Sequence, residues 1–340
     1  MKIRNLLIII VVLLVLTEVL LRLFISKPSS QQYDDELGYT NIPGSQMIES
    51  LEGYNFVTFN KIGFNDDDPN DGFNRKIFVI GDSYTEAFQV NHTLCYTSLM
   101  EKALESEKID IIKLARDSFL PLHYPIVSNR YFDQYRPELT ILQLGSHTLS
   151  DLYGDNIVIE YTQDNKIERY TLNVSDGDKK KEAVRGIINN SALAYYLLRR
   201  YKYLIIKTLD RFNDLFSSGH KTGKSEKAQA SDEEYQKRLA YILKRIKGNV
   251  VVLYLPDPAI LFGSTEHNTK VKNIIDRATK DSNAGFIDLS EEFKNYYIKN
   301  KQLLNGFSNS KPGSGHLNEY GHSVAAKSLL IRLKNMGYLN

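Results

Sequence analysis

Lys76-Ile77-Phe78-Val79-Ile80-Gly81-Asp82-Ser83-Tyr84-Thr85-Glu86 is the stretch whose reading decides the fold. A short apolar run that closes on glycine suits a strand buried on both faces. The polar residues after it open a turn into a helix. Moving outward, the same rhythm returns. A helical stretch near 93–106 precedes a second strand, Ile109 to Ala115 (IDIIKLA), and a helix near 123–135 precedes a third, Glu138 to Gly145 (ELTILQLG). Asn249 to Leu255 (NVVVLYL) and Gly285 to Leu289 supply a fourth and a fifth, and a last helix runs from about Asn318 to Asn335. Strands alternating with helices predict a parallel sheet covered on both faces, and right-handed crossovers make it doubly wound. The expected class is therefore α/β: a three-layer, doubly wound domain with a mainly parallel five-stranded sheet. Ligands of such sheets bind beyond the carboxyl ends of the strands.

The N-terminus reads differently. After Lys2 and Arg4, an apolar run extends from Leu6 to Phe24, interrupted by Thr17, Glu18 and Arg22. A helix of ~20 apolar residues crosses a bilayer core. Glu18 and Arg22, at i and i+4, pair on one helix face, near the end where side chains snorkel to the interface. Ile25-Ser26-Lys27-Pro28 holds no small-residue cleavage site. Residues 1–27 are thus expected to be an uncleaved N-terminal transmembrane helix. It would make a single pass through the cytoplasmic membrane and leave the α/β domain on the extracytoplasmic (periplasmic or extracellular) side. Residues 28–75 read as an extended lead-in with few regular elements. Residues 76–340 read as the α/β domain, with an insertion at about 154–235. That insertion holds a polar patch (SDGDKKKE), the run 187–206 (IINNSALAYYLLRRYKYLII) and a Lys/Ser/Gly/Ala-rich loop. Arg199, Arg200 and Lys202 in the middle of 187–206 make it a soluble amphipathic helix rather than a second span. The insertion is a candidate cap over the site.

Composition narrows the chemistry. The 340 residues are 42% hydrophobic and 25% charged, ordinary for a chain with a real core. A net charge of +2 gives no basic field for nucleic acid. The single cysteine, Cys95, allows no internal disulfide and no metal site by itself, and reads as a buried small hydrophobe. The seven histidines include no HExxH. No metal and no cofactor is expected.

Two stretches carry candidate chemistry. In Gly81-Asp82-Ser83-Tyr84-Thr85, the serine sits on a strand-to-helix turn, where its own backbone N–H faces a developing oxyanion. Gly81 permits tight backbone geometry, and Asp82 fixes the turn by local hydrogen bonds. The plainer reading is an N-cap that opens a helix. In Gly313-Ser314-Gly315-His316-Leu317-Asn318-Glu319-Tyr320-Gly321-His322, His316 lies just before the last helix. Its imidazole has the pKa range to take a serine proton. His322, a turn or more into the helix, is less suited.

With these residues quoted, the whole chain resembles membrane-anchored members of the SGNH (GDSL-type) hydrolase superfamily, whose fold is flavodoxin-like. The first block resembles Ile80-Gly81-Asp82-Ser83-Tyr84-Thr85-Glu86. The closing block resembles Gly315-His316-Leu317-Asn318 through Gly321-His322. Arg136-Pro137-Glu138 and the strand after it resemble the approach to the third block. Glu36-Leu37-Gly38-Tyr39 and Asn60-Lys61-Ile62-Gly63-Phe64 match the lead-in of anchored members. The likeness is weakest over 154–235. It implies Ser83 as nucleophile and His316 as base. It implies an oxyanion hole of the Ser83 and Ser118 backbone N–H groups with His147, supported by Gly81, Asp82, Gly145 and Ser314. The chain also departs from the family. Ser118 stands where block two usually has glycine. Gly145-Ser146-His147-Thr148 stands where block three reads Gly-x-Asn-Asp. Ser314 and Gly313 stand where an aspartate usually precedes the histidine. Losing an oxyanion donor costs ~10²–10³ in turnover, and losing a triad acid ~10⁴.

The resemblance implies an extracytoplasmic serine esterase or O-acyltransferase. Its substrate would be an ester, above all an acylated carbohydrate of cell-surface or exported polysaccharide. Its partners would be that substrate and, through the N-terminal helix, the membrane; no nucleic acid is expected. The rival is a catalytically inactive SGNH-like domain that binds glycan or scaffolds an envelope assembly. The missing Asp and Asn favour the rival; the intact Gly-Asp-Ser and Gly-His-Leu-Asn pieces oppose it.

Overall fold

Two antiparallel hairpins precede the main sheet: β1 (Gln31–Asp34) with β2 (Gly38–Asn41), and β3 (Gln46–Glu49) with β4 (Asn55–Thr58). This corrects the expectation of a lead-in with few regular elements. Each strand is four residues long, too short for its alternation to stand out from polar loop sequence. The second hairpin still buries Met47, Val57 and Phe59 as a small cluster, with Phe88 against it. The computed structural model describes residues 2–153, 157–163, 167–172, 190–201, 230–263 and 266–339.

The main sheet consists of β5 (Arg75–Gly81), β6 (Ile109–Ala115), β7 (Leu139–Gly145), β10 (Val250–Leu255) and β11 (Gly285–Asp288). Its order is β11-β10-β7-β5-β6, and every pairing is parallel. The five strands expected from the sequence are the five observed, to within a residue at each end. Alternate residues of a strand face opposite sides of the sheet. Ile77 and Val79 of β5, with Ile109, Ile111, Ile141 and Leu253, join one cluster with Tyr96 and Met100 of helix Tyr96–Ala103, Phe293 of helix Ser290–Asn300 and Leu329 of helix Glu319–Asn335. Phe78 faces the other way and meets Tyr135 of helix His123–Tyr135 edge-on, ring centroids 6.3 Å apart. Ile77, Phe78, Val79 and Ile80 are all 0% exposed. Each such side chain contributes about 1.5–3 kcal/mol of transfer free energy. Burial on both faces explains why the strand reads as a continuous apolar run instead of an alternating one.

The expected helix near 93–106 is three pieces: 3-10 turns His92–Leu94 and Glu105–Glu107 flank helix Tyr96–Ala103. A hairpin of β8 (Ile157–Tyr161) and β9 (Ile167–Leu172) follows the short helix Thr148–Asp151, and helix Asp232–Leu243 leads to β10. The chain divides into two units, and the division differs from the expected one. Residues 31–175 and 232–340 form the α/β unit, which takes in the lead-in hairpins and the β8–β9 hairpin. Residues 1–30 and 176–231 form the other. In that second unit, Lys2–Phe24 is one helix whose apolar side chains are mostly exposed, and 192–201 is helical. Positions 187–189 and 202–206 of the 187–206 run, the whole polar patch and all but the last two residues of the Lys/Ser/Gly/Ala-rich loop lie outside the described residues.

Candidate active site

β5 lies between β6 and β7: the chain steps from β5 to β6 on one side and then crosses back to β7 on the other. This is the topological switch point, where an open parallel sheet leaves a crevice at its carboxyl edge. Three turns meet there. The first follows β5. Asp82 caps the short helix Ser83–Glu86, its Oδ1 accepting the Tyr84 N–H at 2.8 Å. A Cβ on Gly81 would lie 2.3 Å from Thr85 Oγ1, so only glycine lets the turn close this tightly. Ser83, half-buried, is the first residue of that helix, and its N–H has no acceptor within the helix.

The second turn follows β6. Ser118 adopts φ +69°, in the left-handed region that favours glycine. The family's block-two glycine therefore has a conformational counterpart here, although the side chain differs. Glu86 holds this turn: its Oε2 accepts the Asp117 N–H at 2.5 Å. Glu86 is 1% exposed, and burial together with the Asp117 charge pushes its carboxyl up to about 8, despite nearby Arg116.

The third turn follows β7. The Gly145 N–H donates to Thr148 Oγ1 at 3.0 Å. His147, expected among the oxyanion donors, instead directs Nε2 to Asp82 Oδ2 at 2.7 Å, with Asp151 Oδ2 at 3.6 Å. A carboxylate is a stronger acceptor than a carbonyl oxygen, so this nitrogen is already committed. Burial would lower the His147 pKa, but the Asp82 hydrogen bond and the charges of Asp82, Asp151 and Asp257 outweigh it, and the pKa is raised. Tyr84 stacks on His147, centroids 6.0 Å apart, and its ring also lies 5.2 Å from His316.

His316 reaches this crevice from the far end of the chain. Asn318 caps the closing helix, accepting the Tyr320 and Gly321 N–H groups at 3.1 Å each, while its Nδ2 donates to Leu303 O at 3.0 Å. Asn305 and Tyr84 both donate to the Gly315 carbonyl, at 3.0 and 3.3 Å. His316 Nε2 then lies 2.9 Å from Ser83 Oγ. The two residues singled out as nucleophile and base are thus within hydrogen-bond distance. Ser314 sits half-buried in the preceding turn, its N–H donating to Lys311 O at 3.3 Å. His322 is buried, and its Nδ1 accepts the Tyr96 N–H at 3.3 Å, so it is a core residue.

The carboxylate that sequence reasoning could not find is Glu52. Its Oε2 lies 2.6 Å from His316 Nδ1, and its Oε1 accepts the His316 N–H at 3.0 Å. It stands in the turn between β3 and β4, 264 residues from its partner. Asn309 clips that turn in place, donating to Gly53 O at 2.8 Å and Ser50 O at 3.2 Å and accepting the Gly53 N–H at 2.8 Å. Burial acts to raise the Glu52 pKa, but the hydrogen bond and charge of His316 outweigh it and hold the carboxyl below its usual value. A Cβ on Gly315, at φ +78°, would lie 2.2 Å from Glu52 Oε1. The glycine beside the histidine is thus the space the distant acid occupies.

A cavity of about 610 Å³ is lined by Gly53, Tyr54, Phe56, Gln89, Phe307 and Asn309 among others, and its lining includes none of Glu52, Ser83 and His316. Tyr54 and Phe56 are 56% and 57% exposed and meet edge-to-face at 5.6 Å. A larger groove of about 920 Å³ runs along Arg130, Arg169, Tyr241 and Arg245 and contains neither Ser83 nor His316. Among the described residues, no group of three or more His, Cys, Asp or Glu side chains gathers to hold a metal ion.

No family model and no curated protein matches the chain. Solved structures similar to it include TesA, 10% identical over 77% of this chain and 99% of that one, with a TM-score of 0.43. The psychrotrophic esterase EstA from Pseudoalteromonas sp. is 12% identical, over 77% and 98%, with a TM-score of 0.40. A catalytic mutant of Axe2, an acetylxylan esterase from Geobacillus stearothermophilus, is 11% identical, over 77% and 94%, with a TM-score of 0.41. Likenesses this remote add nothing to the geometry of the site.

Proposed function

We propose that this chain is a divergent SGNH-type serine hydrolase, anchored by Lys2–Phe24, whose α/β unit works outside the cytoplasm on acyl esters. The observation that carries the reading is the continuous chain of contacts from Glu52 Oε2 to His316 Nδ1 (2.6 Å) and from His316 Nε2 to Ser83 Oγ (2.9 Å). A serine is a weak nucleophile until a base takes its proton, and the base works best when a third group fixes its tautomer. Glu52, held ionised at neutral pH, keeps the Nδ1 proton and leaves Nε2 as acceptor. Ser83 Oγ attacks the acyl carbonyl while its proton passes to His316 Nε2. The Ser83 and Ser118 backbone N–H groups face the oxyanion that forms. Collapse breaks the ester bond, and the leaving alcohol takes the proton from Nε2. Water, or a sugar hydroxyl in the transferase case, then gives its proton to the same nitrogen, attacks the acyl-serine and restores the enzyme.

An acylated carbohydrate of the cell surface or of an exported polysaccharide is the proposed substrate. Exposed Tyr54 and Phe56, which follow Glu52 in the chain and line the smaller cavity, support this, because flat aromatic faces pack against sugar rings. The inactive-scaffold reading drew on the absent aspartate and the absent block-three asparagine; the Glu52 carboxylate beside His316 Nδ1 supports the active reading against the first of these. The test uses the purified full chain with an O-acetylated oligosaccharide and, separately, with p-nitrophenyl acetate. Release of acetate that Ser83→Ala lacks is the expected result. Equal release by both proteins, or none by either, counts against it.

A further inference from the structure

Glu18 stands in the last third of the apolar helix Lys2–Phe24, a costly place for a carboxylate in lipid. Both of its oxygens are occupied. Oε1 accepts the Ala192 N–H at 2.8 Å and Arg22 Nε at 2.7 Å. Oε2 accepts the Leu193 N–H at 2.9 Å and Ser191 Oγ at 3.0 Å. Arg22 continues the contact, donating from Nη2 to Asn190 O at 2.6 Å, and the Ala194 N–H finds Ser191 Oγ at 3.1 Å. The first turn of the helix over 192–201 therefore starts with the N–H groups of 192, 193 and 194 all answered. In water, solvent would satisfy such groups at no cost. In hydrocarbon each unanswered one costs several kcal/mol.

Depth agrees with this. Six residues separate Glu18 from the end of its helix, about 9 Å at 1.5 Å per residue. Interfacial helices sit with their apolar face about 5–10 Å into the headgroup and acyl boundary. The helix over 192–201 also has such a face. Leu197, Leu198 and Tyr201 are 43%, 37% and 45% exposed. Spaced i, i+1 and i+4, they fall within roughly 100° of one another on a helical wheel, with Arg199 on the opposite side. Ala192, at the capped end, is 0% exposed.

We infer that the helix over 192–201 is a second membrane contact, lying in the phospholipid interface beside the anchor with Leu197, Leu198 and Tyr201 among the acyl chains and Glu18 as its cap. This rests on reading Lys2–Phe24 as a membrane anchor. It replaces the sequence expectation of a soluble helix: the charges that rule out a span do not rule out an interfacial position. Arg199 and Arg200 then stand at the level of the lipid phosphates.

The test uses the full chain in phospholipid nanodiscs, with single spin labels on Leu197→Cys, Leu198→Cys and Arg200→Cys, and the chain without added cysteine as the blank. Collision with oxygen reports lipid, and collision with a water-soluble nickel chelate reports solvent. Labels at 197 and 198 should favour oxygen, the label at 200 should favour the chelate, and Glu18→Ala should shift 198 toward the chelate. A chain that alkaline carbonate strips from membranes overturns both the anchor and this inference. A chain that is retained, yet has position 198 as open to the chelate as position 200, overturns this inference alone.

Discussion

Glu52 orients His316 only because residue 315 has no side chain. The Glu52 carboxylate lies where a Cβ at that position would sit, 2.2 Å from Oε1, and the backbone there is left-handed at φ +78°. Gly315→Ala should therefore displace the acid as well as strain the backbone. Misplacing a catalytic group by about 1 Å costs on the order of 10² in rate, and a left-handed alanine costs about 1–2 kcal/mol. We expect kcat to fall on the order of 10²-fold or more, with the melting temperature lowered by only a few degrees. An unchanged kcat would show that Glu52 does not act through this contact. Ser83 and His316, which the structure brings within hydrogen-bond distance, stood out in the sequence because each sits in a compact block beside a strand end or a helix cap. Glu52 was not. Nothing local distinguishes it among the 41 acidic residues, and its role exists only once the β3–β4 turn meets the closing block. The one local hint was the glycine before His316, which reads as flexibility until the neighbour that needs the space is known.

At the scale of elements, the turn after β6 is the most informative. Ser118 holds a glycine's conformation at φ +69° without being glycine. If its backbone N–H, and not its hydroxyl, serves the oxyanion, Ser118→Gly should keep activity and relieve up to about 1 kcal/mol of strain. Ser118→Val should do the reverse, because a β-branched residue resists this region. Paired urea unfolding curves and ester turnover for the two variants check both halves; loss of activity in Ser118→Gly would assign the role to the hydroxyl. The parallel strands were readable because burial on both faces makes each a continuous apolar run. The lead-in hairpins were not, since their four-residue strands mix Gln, Tyr, Asn and Thr with few apolar positions. His147 fits a donor's place in the sequence, but Asp82, on the neighbouring turn, binds its Nε2 first.

Across the whole α/β unit, the site is underlain by buried ionisable groups that tie its stability to pH. Burial raises the Glu86 carboxyl from 4.5 to about 8. A carboxyl whose folded pKa exceeds its unfolded value stabilises the fold below the unfolded pKa and loses that contribution as pH rises through the folded one. The stability of the protein should thus decline between about pH 4.5 and 8 by on the order of a few kcal/mol on account of this group. Glu86→Gln, which keeps an acceptor for the Asp117 N–H, should flatten that part of the profile in urea titrations. A profile of the same slope in the variant would assign the dependence elsewhere. The unit also has to bring a lead-in turn, a sheet edge and a closing helix into one crevice before any of them has chemistry. The measurement that tests this most directly is the labelling rate of the full chain with a fluorophosphonate at neutral pH, run beside Ser83→Ala and Glu52→Gln. Fast labelling of the wild type, none of Ser83→Ala and a rate lowered on the order of 10³–10⁴-fold in Glu52→Gln is the predicted result. Labelling of Glu52→Gln at the wild-type rate would contradict the triad.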